Sequence, residues 1–255
     1  MDHVREKPLV SIPREALLLD AAAPLPTVAL QLREVDPALD GVVIDGVLTR
    51  EECERVVEAA EKGGFTFWDP AGDGDGRARR VRSASTVEFR AEGFCGELWE
   101  RLRPFVPSRC AITEEQDRCE PDIEGEWCAD GLNTHLLINR YAAGGHFSPH
   151  ADGSTIVDFN LRSLYTVLVY LNDCADGGAT QILRDEQAAA TELDGDLAVA
   201  RAGAVLHAVQ PRAGRALLYW HQTLHAGERV GAGCLKYSLR SDVMYRRDPP
   251  MCTAP

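Results

Sequence analysis

Three features of the sequence predict a mostly β chain (α+β) with flanking helices, built around a jelly-roll core on N-terminal helical support. From Gly131 onward, about eight short apolar runs alternate with turn residues such as Asn172–Gly178 and Pro211–Gly214. Before that point, residues 49–62 and 91–105 carry apolar side chains at helical spacing. No apolar run approaches the roughly 18 residues that a membrane helix needs.

Taken in order, residues 1–38 are rich in proline and alanine without a clear period and read as an arm packed on the surface. Asp40–Leu48 gives a short strand. Thr49 is then a good N-cap, with Glu51 and Glu52 in the first turn of a helix running to about Lys62, where Gly63-Gly64 stops it. Its apolar stripe is Val56, Val57, Ala59 and Ala60. Phe65–Trp68 reads as a strand and Pro70–Gly76 as a flexible loop. The basic run Arg77, Arg79, Arg80 and Arg82 follows. Its plain reading is a solvated loop; its functional reading is a lid that is poorly ordered until substrate brings an anionic group to these arginines. Phe94, Leu98, Trp99, Leu102 and Phe105 make the second helix a core element. Residues 108–130 look irregular. The strands predicted beyond are Leu136–Tyr141, a run beginning at His146, Ser163–Leu171, Ala179–Leu183, Val205–Val209, Ala216–Trp220 and Lys236–Tyr245. The resulting organisation is an arm (1–38), a helical support with the lid loop (39–130), the barrel (131–247) and a tail (248–255).

Composition narrows the function. The chain is 45% hydrophobic and 26% charged, ordinary for a globular protein. With 27 Lys and Arg against 40 Asp and Glu, the net charge of −13 repels a polyanion, so nucleic acid ranks low as a partner. The eight cysteines form no CxxC pair, and the N-terminus lacks the apolar core of a signal peptide. A soluble, cytoplasmic protein with reduced thiols and no membrane partner is expected, with one bridge among Cys110, Cys119 and Cys128 left open.

Chemistry concentrates at His150-Ala151-Asp152. On a strand, period-two alternation sends both side chains to one face, offering a neutral nitrogen and a hard oxygen to a metal. Taken alone, the triplet is also what a solvated turn would carry. His225, after the run Ala216–Trp220, supplies the third ligand of a 2-His-1-carboxylate site, which leaves positions on iron open. Lys236 follows eleven residues later, with Arg240 on the same strand face. Among the other histidines, His146 reads as a rim residue and His207 as a core residue. His221 reads as a substrate contact or a support for a ligand. Asn133 and Trp127 mark a pocket edge.

Residues 131–247 resemble the catalytic domain of the 2-oxoglutarate/Fe(II) oxygenases, in their prolyl-4-hydroxylase-like branch. The resemblance rests on Arg140-Tyr141 ahead of His150-Ala151-Asp152, on Thr166–Leu171, Gly177–Thr180 and Pro211–Leu217, and on His225-Ala226-Gly227 with Lys236-Tyr237. It implies a double-stranded β-helix holding Fe(II) on His150, Asp152 and His225. It also implies 2-oxoglutarate as co-substrate, with its far carboxylate on Lys236 and hydrogen bonds from Tyr141 and Thr166. O2 is the oxidant, ascorbate supports activity, and succinate and CO2 are released as an amino-acid, peptidyl or small-molecule substrate is hydroxylated. The chain departs from the family in three places. The His225–Lys236 interval is one residue longer, which keeps Arg240 open as the anchor; GGET reads GGAT; and the aromatic that often follows it is absent. Asp152 argues against the halogenating relatives. A non-catalytic jelly-roll binding module and a cupin-type metalloenzyme are the other classes. The intact ligand set and Lys236 count against the first, and the order of the histidines against the second.

Overall fold

The computed structural model describes residues 9–67, 77–114, 122–184 and 187–251. In chain order the elements are β1 (Thr27–Gln31), β2 (Gly41–Asp45), α1 (Arg50–Gly63), β3 (Thr66–Phe67), α2 (Arg77–Val81), β4 (Ser85–Arg90) and α3 (Glu92–Leu102). There follow β5 (Arg109–Ile112), β6 (Gly125–Leu132), β7 (His135–Tyr141), β8 (Phe147–His150), β9 (Ile156–Asp158), β10 (Leu161–Tyr170) and β11 (Thr180–Leu183). The last are α4 (Gln187–Ala190), β12 (Thr191–Asp194), β13 (Leu197–Ala200), β14 (Val205–Val209), β15 (Ala216–Trp220), β16 (His225–Gly227) and β17 (Lys236–Arg247).

Two antiparallel sheets face each other. The larger runs β1-β2-β15-β10-β17-β7-β4-β3, with β6 also on β17, β5 on β6 and β9 on β10. The smaller runs β14-β11-β16-β8, and β12 with β13 forms a separate hairpin. Alternation along each strand of the larger sheet sorts its side chains. On β17, Tyr237, Leu239, Val243 and Tyr245 join the apolar core shared with Val56 of α1 and Leu98 of α3. The alternate residues Lys236, Ser238, Arg240 and Asp242 therefore turn to the other face, toward the smaller sheet. On β15, Ala216, Leu218 and Trp220 go to the helix side, while Leu217 and Tyr219 pack between the sheets with Tyr170 and Ile182. That alternation fills the barrel interior with polar and aromatic groups.

The first helix forms as the sequence predicts, with a capping box. Thr49 Oγ1 accepts from the Glu52 amide at 3.2 Å, and Glu52 Oε2 accepts from the Thr49 amide at 2.8 Å. Glu52 is buried and is also held by Arg101 of α3 at 2.7 and 2.9 Å. This network ties down the N-terminal segment: Asp20 donates its amide to Glu52, and its carbonyl accepts from Arg101. Residues 1–38 are thus more than a surface arm. Their described part supplies β1 to the larger sheet and buries Leu17 and Leu32.

Other expectations change too. Residues 108–130 are not irregular throughout, since β5 and β6 pair there. Residue 131 lies inside β6, and β2 and β4 sit within the barrel's own sheet, so the support region is sheet as well as helix. The described part of the tail is anchored, with the Asp248 amide on Glu126 O at 2.9 Å. Cys110 and Cys128 are both free. They occupy successive register positions on paired strands, opposite Trp127 and Arg109, so their side chains leave opposite faces; Cys119 lies outside the described residues. Among the described residues, no helix is long and apolar enough to cross a membrane.

Candidate metal centre

β16 pairs with β8 so that His225 stands directly opposite His150, with ring centroids 4.2 Å apart. The strand reading of HxD needs one correction. β8 ends at His150, and Asp152 comes from the loop beyond it, placed by its amide donating to His221 O at 2.9 Å. Asp152 Oδ1 is 3.9 Å from His150 Nε2, and Oδ2 is 3.9 Å from His225 Nε2. One ligand atom from each residue lies within 4.8 Å of the others.

Each imidazole is oriented from behind. His150 Nδ1 faces Ser148 O at 2.7 Å, and His225 Nδ1 faces Thr223 O at 2.9 Å. A ring nitrogen facing a carbonyl carries the proton, so the Nε2 lone pairs point at Asp152. Burial, helped by neighbouring His225, pushes the His150 pKa down to about 3 and keeps the ring neutral. Burial alone would raise the pKa of the Asp152 carboxyl. Arg240, His225 and His150, with a hydrogen bond from Tyr219, instead hold it well below the usual carboxylate range. Two imidazole nitrogens and one carboxylate converging on one point fit a divalent cation of the iron type.

Asp152 is held by residues that sequence patterning did not single out for this role. Tyr219 donates to its Oδ2 at 2.7 Å, with the same hydroxyl 3.1 Å from His225 Nε2. Thr166 donates to Oδ2 at 2.8 Å. Behind Thr166, His221 Nδ1 lies at 2.9 Å from its hydroxyl, and His221 Nε2 lies 2.8 Å from Ser163 Oγ. With Thr166 donating forward, Nδ1 carries the imidazole proton and Nε2 accepts from Ser163. Burial pushes the His221 pKa down to about 4, which suits a neutral ring.

On the other side, Arg240 Nη2 lies 3.5 Å from Asp152 Oδ1 and 3.3 Å from Asp242 Oδ1. Asp242 Oδ2 accepts from Thr155, whose hydroxyl also meets Asn133 Nδ2 at 3.2 Å. Asn133 therefore reaches the centre only through Thr155, Asp242 and Arg240. Lys236 sits at the far end of the same strand face. It is buried between the rings of Tyr141 and Tyr170, 5.4 and 5.5 Å from Nζ, and among the described residues no salt bridge reaches it. Burial pushes its pKa down to about 8, against the pull of Cys174 and Glu228. Lys236 and Arg240 are thus separated: one lies in an aromatic niche, the other lies beside the Asp152 carboxylate.

The basic run is a short helix, α2, from Arg77 to Val81 rather than a loop, and Arg82 follows it in an isolated β-bridge to Phe147. The side chain of Arg77 and the whole of residues 68–76 lie outside the described residues. Arg79 is exposed and lies 3.8 Å over the Phe67 ring, and Arg80 is exposed, its carbonyl accepting from His146 and Ser148. Among the run's described side chains, Arg82 is the buried one, hydrogen-bonded to Asn139 and 4.7 Å over Phe147, whose ring stacks on His150 at 3.5 Å. Trp127 marks no pocket edge: it is fully buried, with its Nε1 on Ile123 O at 2.7 Å. His207 is partly exposed on β14 rather than a core residue.

Residues 136–241, which carry this constellation, match the family model of the 2OG-Fe(II) oxygenase superfamily. That segment is similar to the superfamily over less than half of the chain. The chain shares its fold with a viral collagen prolyl hydroxylase from Paramecium Bursaria Chlorella virus-1, at a TM-score of 0.50 and 19% identity over 80% of this chain and 94% of that one. A Pseudomonas putida prolyl-4-hydroxylase is similar at a TM-score of 0.47 and 14% identity, over 86% of this chain and 99% of its own chain. No curated protein sequence matches the chain. Tyr219 gave no signal in its sequence because Ala216–Trp220 is apolar on both faces. Only pairing with β10, which sets Tyr219 opposite Thr166, puts both hydroxyls on one side of the sheet.

Proposed function

We propose that the chain is an Fe(II)- and 2-oxoglutarate-dependent dioxygenase of prolyl-4-hydroxylase-like type. It hydroxylates an amino-acid, peptidyl or small-molecule substrate and releases succinate and CO2. One observation carries the reading: a His-Asp-His cluster, with His225 buried and His150 and Asp152 half-buried, and a buried lysine stand at two ends of one barrel interior. His150, Asp152 and His225 would hold Fe(II). Bound iron, with O2 and 2-oxoglutarate, supplies the oxidising power. Lys236 receives the far carboxylate as a point charge in a water-poor niche, with the Tyr141 side chain beside it. Arg240 and Thr166, committed to Asp152, orient the metal carboxylate rather than the co-substrate. Arg82, beside the Phe147–His150 stack, is the member of the basic run best placed to meet a bound molecule. Ascorbate would act as the reductant that returns iron to Fe(II).

The test is spectroscopic and chemical. Anaerobic Fe(II) and 2-oxoglutarate should give the weak visible charge-transfer band of the chelate. A screen of amino acids and proline-containing peptides should then give succinate coupled to a product heavier by about 16 mass units. A protein that binds metal but gives neither signal is a jelly-roll binding module.

A further inference from the structure

Cys174 lies in the turn between β10 and β11, and Cys234 lies in the turn leading into β17, two residues before Lys236. Cys174 packs in the small cluster with Ala84, Tyr141 and Val230, Cys234 packs against that same cluster, and the Cys174 thiol bonds to Asp176 O at 3.6 Å. Cys174 is buried and Cys234 is partly exposed, and both are free.

The two turns are already stitched together around them. Gly178 N donates to Arg229 O at 3.1 Å, Gly231 N to Asp176 O at 2.8 Å, and Asn172 Nδ2 to Leu235 O at 2.7 Å. These bonds hold the two cysteine-bearing turns side by side, which is what a disulfide between them requires. Cys174 also touches the lysine's surroundings. Gly178 is at φ +73°, and a Cβ there would lie 3.0 Å from Cys174 Sγ and 3.5 Å from Lys236 Cδ. The sulfur, the glycine and the lysine stem form one packed unit.

We propose that Cys174 and Cys234 are a redox-sensitive dithiol that hydrogen peroxide closes to a disulfide, and that closure weakens carboxylate binding at Lys236. The co-substrate half of this rests on the function proposed above. In the reaction, the Cys234 thiolate attacks the peroxide oxygen, giving a sulfenic acid and one water. The Cys174 thiolate then displaces the second water to form the S–S bond. The two thiols give up two electrons and two protons, and one peroxide becomes two waters. Drawing Cys174 Sγ toward Cys234 takes it off Gly178, and the lysine stem loses its backing.

The experiment treats the full-length protein with stoichiometric hydrogen peroxide, alkylates it and maps the peptides by mass. 2-Oxoglutarate is then titrated calorimetrically into Mn(II)-loaded protein, reduced and oxidised. The expected result is a Cys174–Cys234 link, reversed by dithiothreitol. Affinity should be about tenfold weaker when oxidised, the scale of one misplaced charge-assisted hydrogen bond. Cys234→Ser treated with peroxide should keep the affinity of its untreated form. Linkage elsewhere, no linkage, or equal affinity of linked and reduced wild-type protein overturns the proposal. If the reduced protein takes no 2-oxoglutarate, the functional reading fails and the co-substrate half with it, while peptide mapping still decides the bond.

Discussion

The Tyr219 hydroxyl donates to Asp152 Oδ2 at 2.7 Å from the strand beside Thr166, which donates to the same oxygen. Oδ2 accepts twice, while Oδ1 faces His150 and Arg240, so Asp152 would be held in place as a metal ligand by both hydroxyls. Tyr219→Phe should weaken anaerobic Fe(II) or Co(II) binding about tenfold, and adding Thr166→Val should weaken it further, toward about a hundredfold. Metal titration of folded variants checks this. Wild-type affinity in Tyr219→Phe would mean that the phenol only fills space.

His150→Ala, Asp152→Ala and His225→Ala should each abolish turnover and bring bound iron below one equivalent. Metal analysis beside succinate release reads both. Full hydroxylation by Asp152→Ala would sink the ligand assignment.

Lys236→Ala should raise the 2-oxoglutarate requirement about ten- to a hundredfold with metal binding nearly intact, the size of one charge-assisted hydrogen bond. Arg240→Ala should act mainly on metal affinity, because its partner is Asp152. The Lys236 pKa falls from 10.5 to about 8 in the folded chain, so between these values the unfolded chain holds more protons on this group. Its contribution to metal-free stability therefore rises with pH across that window, while carboxylate binding, which needs the charge, falls. Affinity measured from pH 6.5 to 9.5 should be level at first, then drop by at most about tenfold per unit above 8. A flat profile would place the anchor elsewhere.

Acid should destabilise the metal-free protein. His150 and His221 are pushed from 6.5 down to about 3 and about 4, so below pH 6.5 the unfolded chain binds more protons than the folded one. Stability is lost as pH falls through that range, by up to about 1.4 kcal/mol per unit for each ring. Urea midpoints at pH 7, 5.5 and 4.5 should decline for wild type and decline less for His221→Gln. Equal slopes would mean that His221 is already charged at neutral pH.

The sequence by itself determined the features that depend on local chemistry. Thr49 and Glu52 define the start of α1, because a capping box needs only side chains three residues apart. Apolar runs bounded by turn residues mark β7, β10 and β15, and HxD with a distal histidine names a candidate ligand set before any fold is known. Tertiary structure decided what depends on partners far away in the chain. β1 and β5 are short and weakly patterned, and exist because β2 and β6 pair with them. Asp152 reaches the centre through a backbone bond to His221, not through strand alternation. Arg240 and Lys236 look equivalent on one strand face. They are told apart only by what surrounds them: the loop carboxylate of Asp152 beside the arginine, and the rings of Tyr141 and Tyr170 from the neighbouring strands beside the lysine. A local pattern fixes which face a side chain takes, but its partner comes from segments distant in sequence, and that partner sets its role.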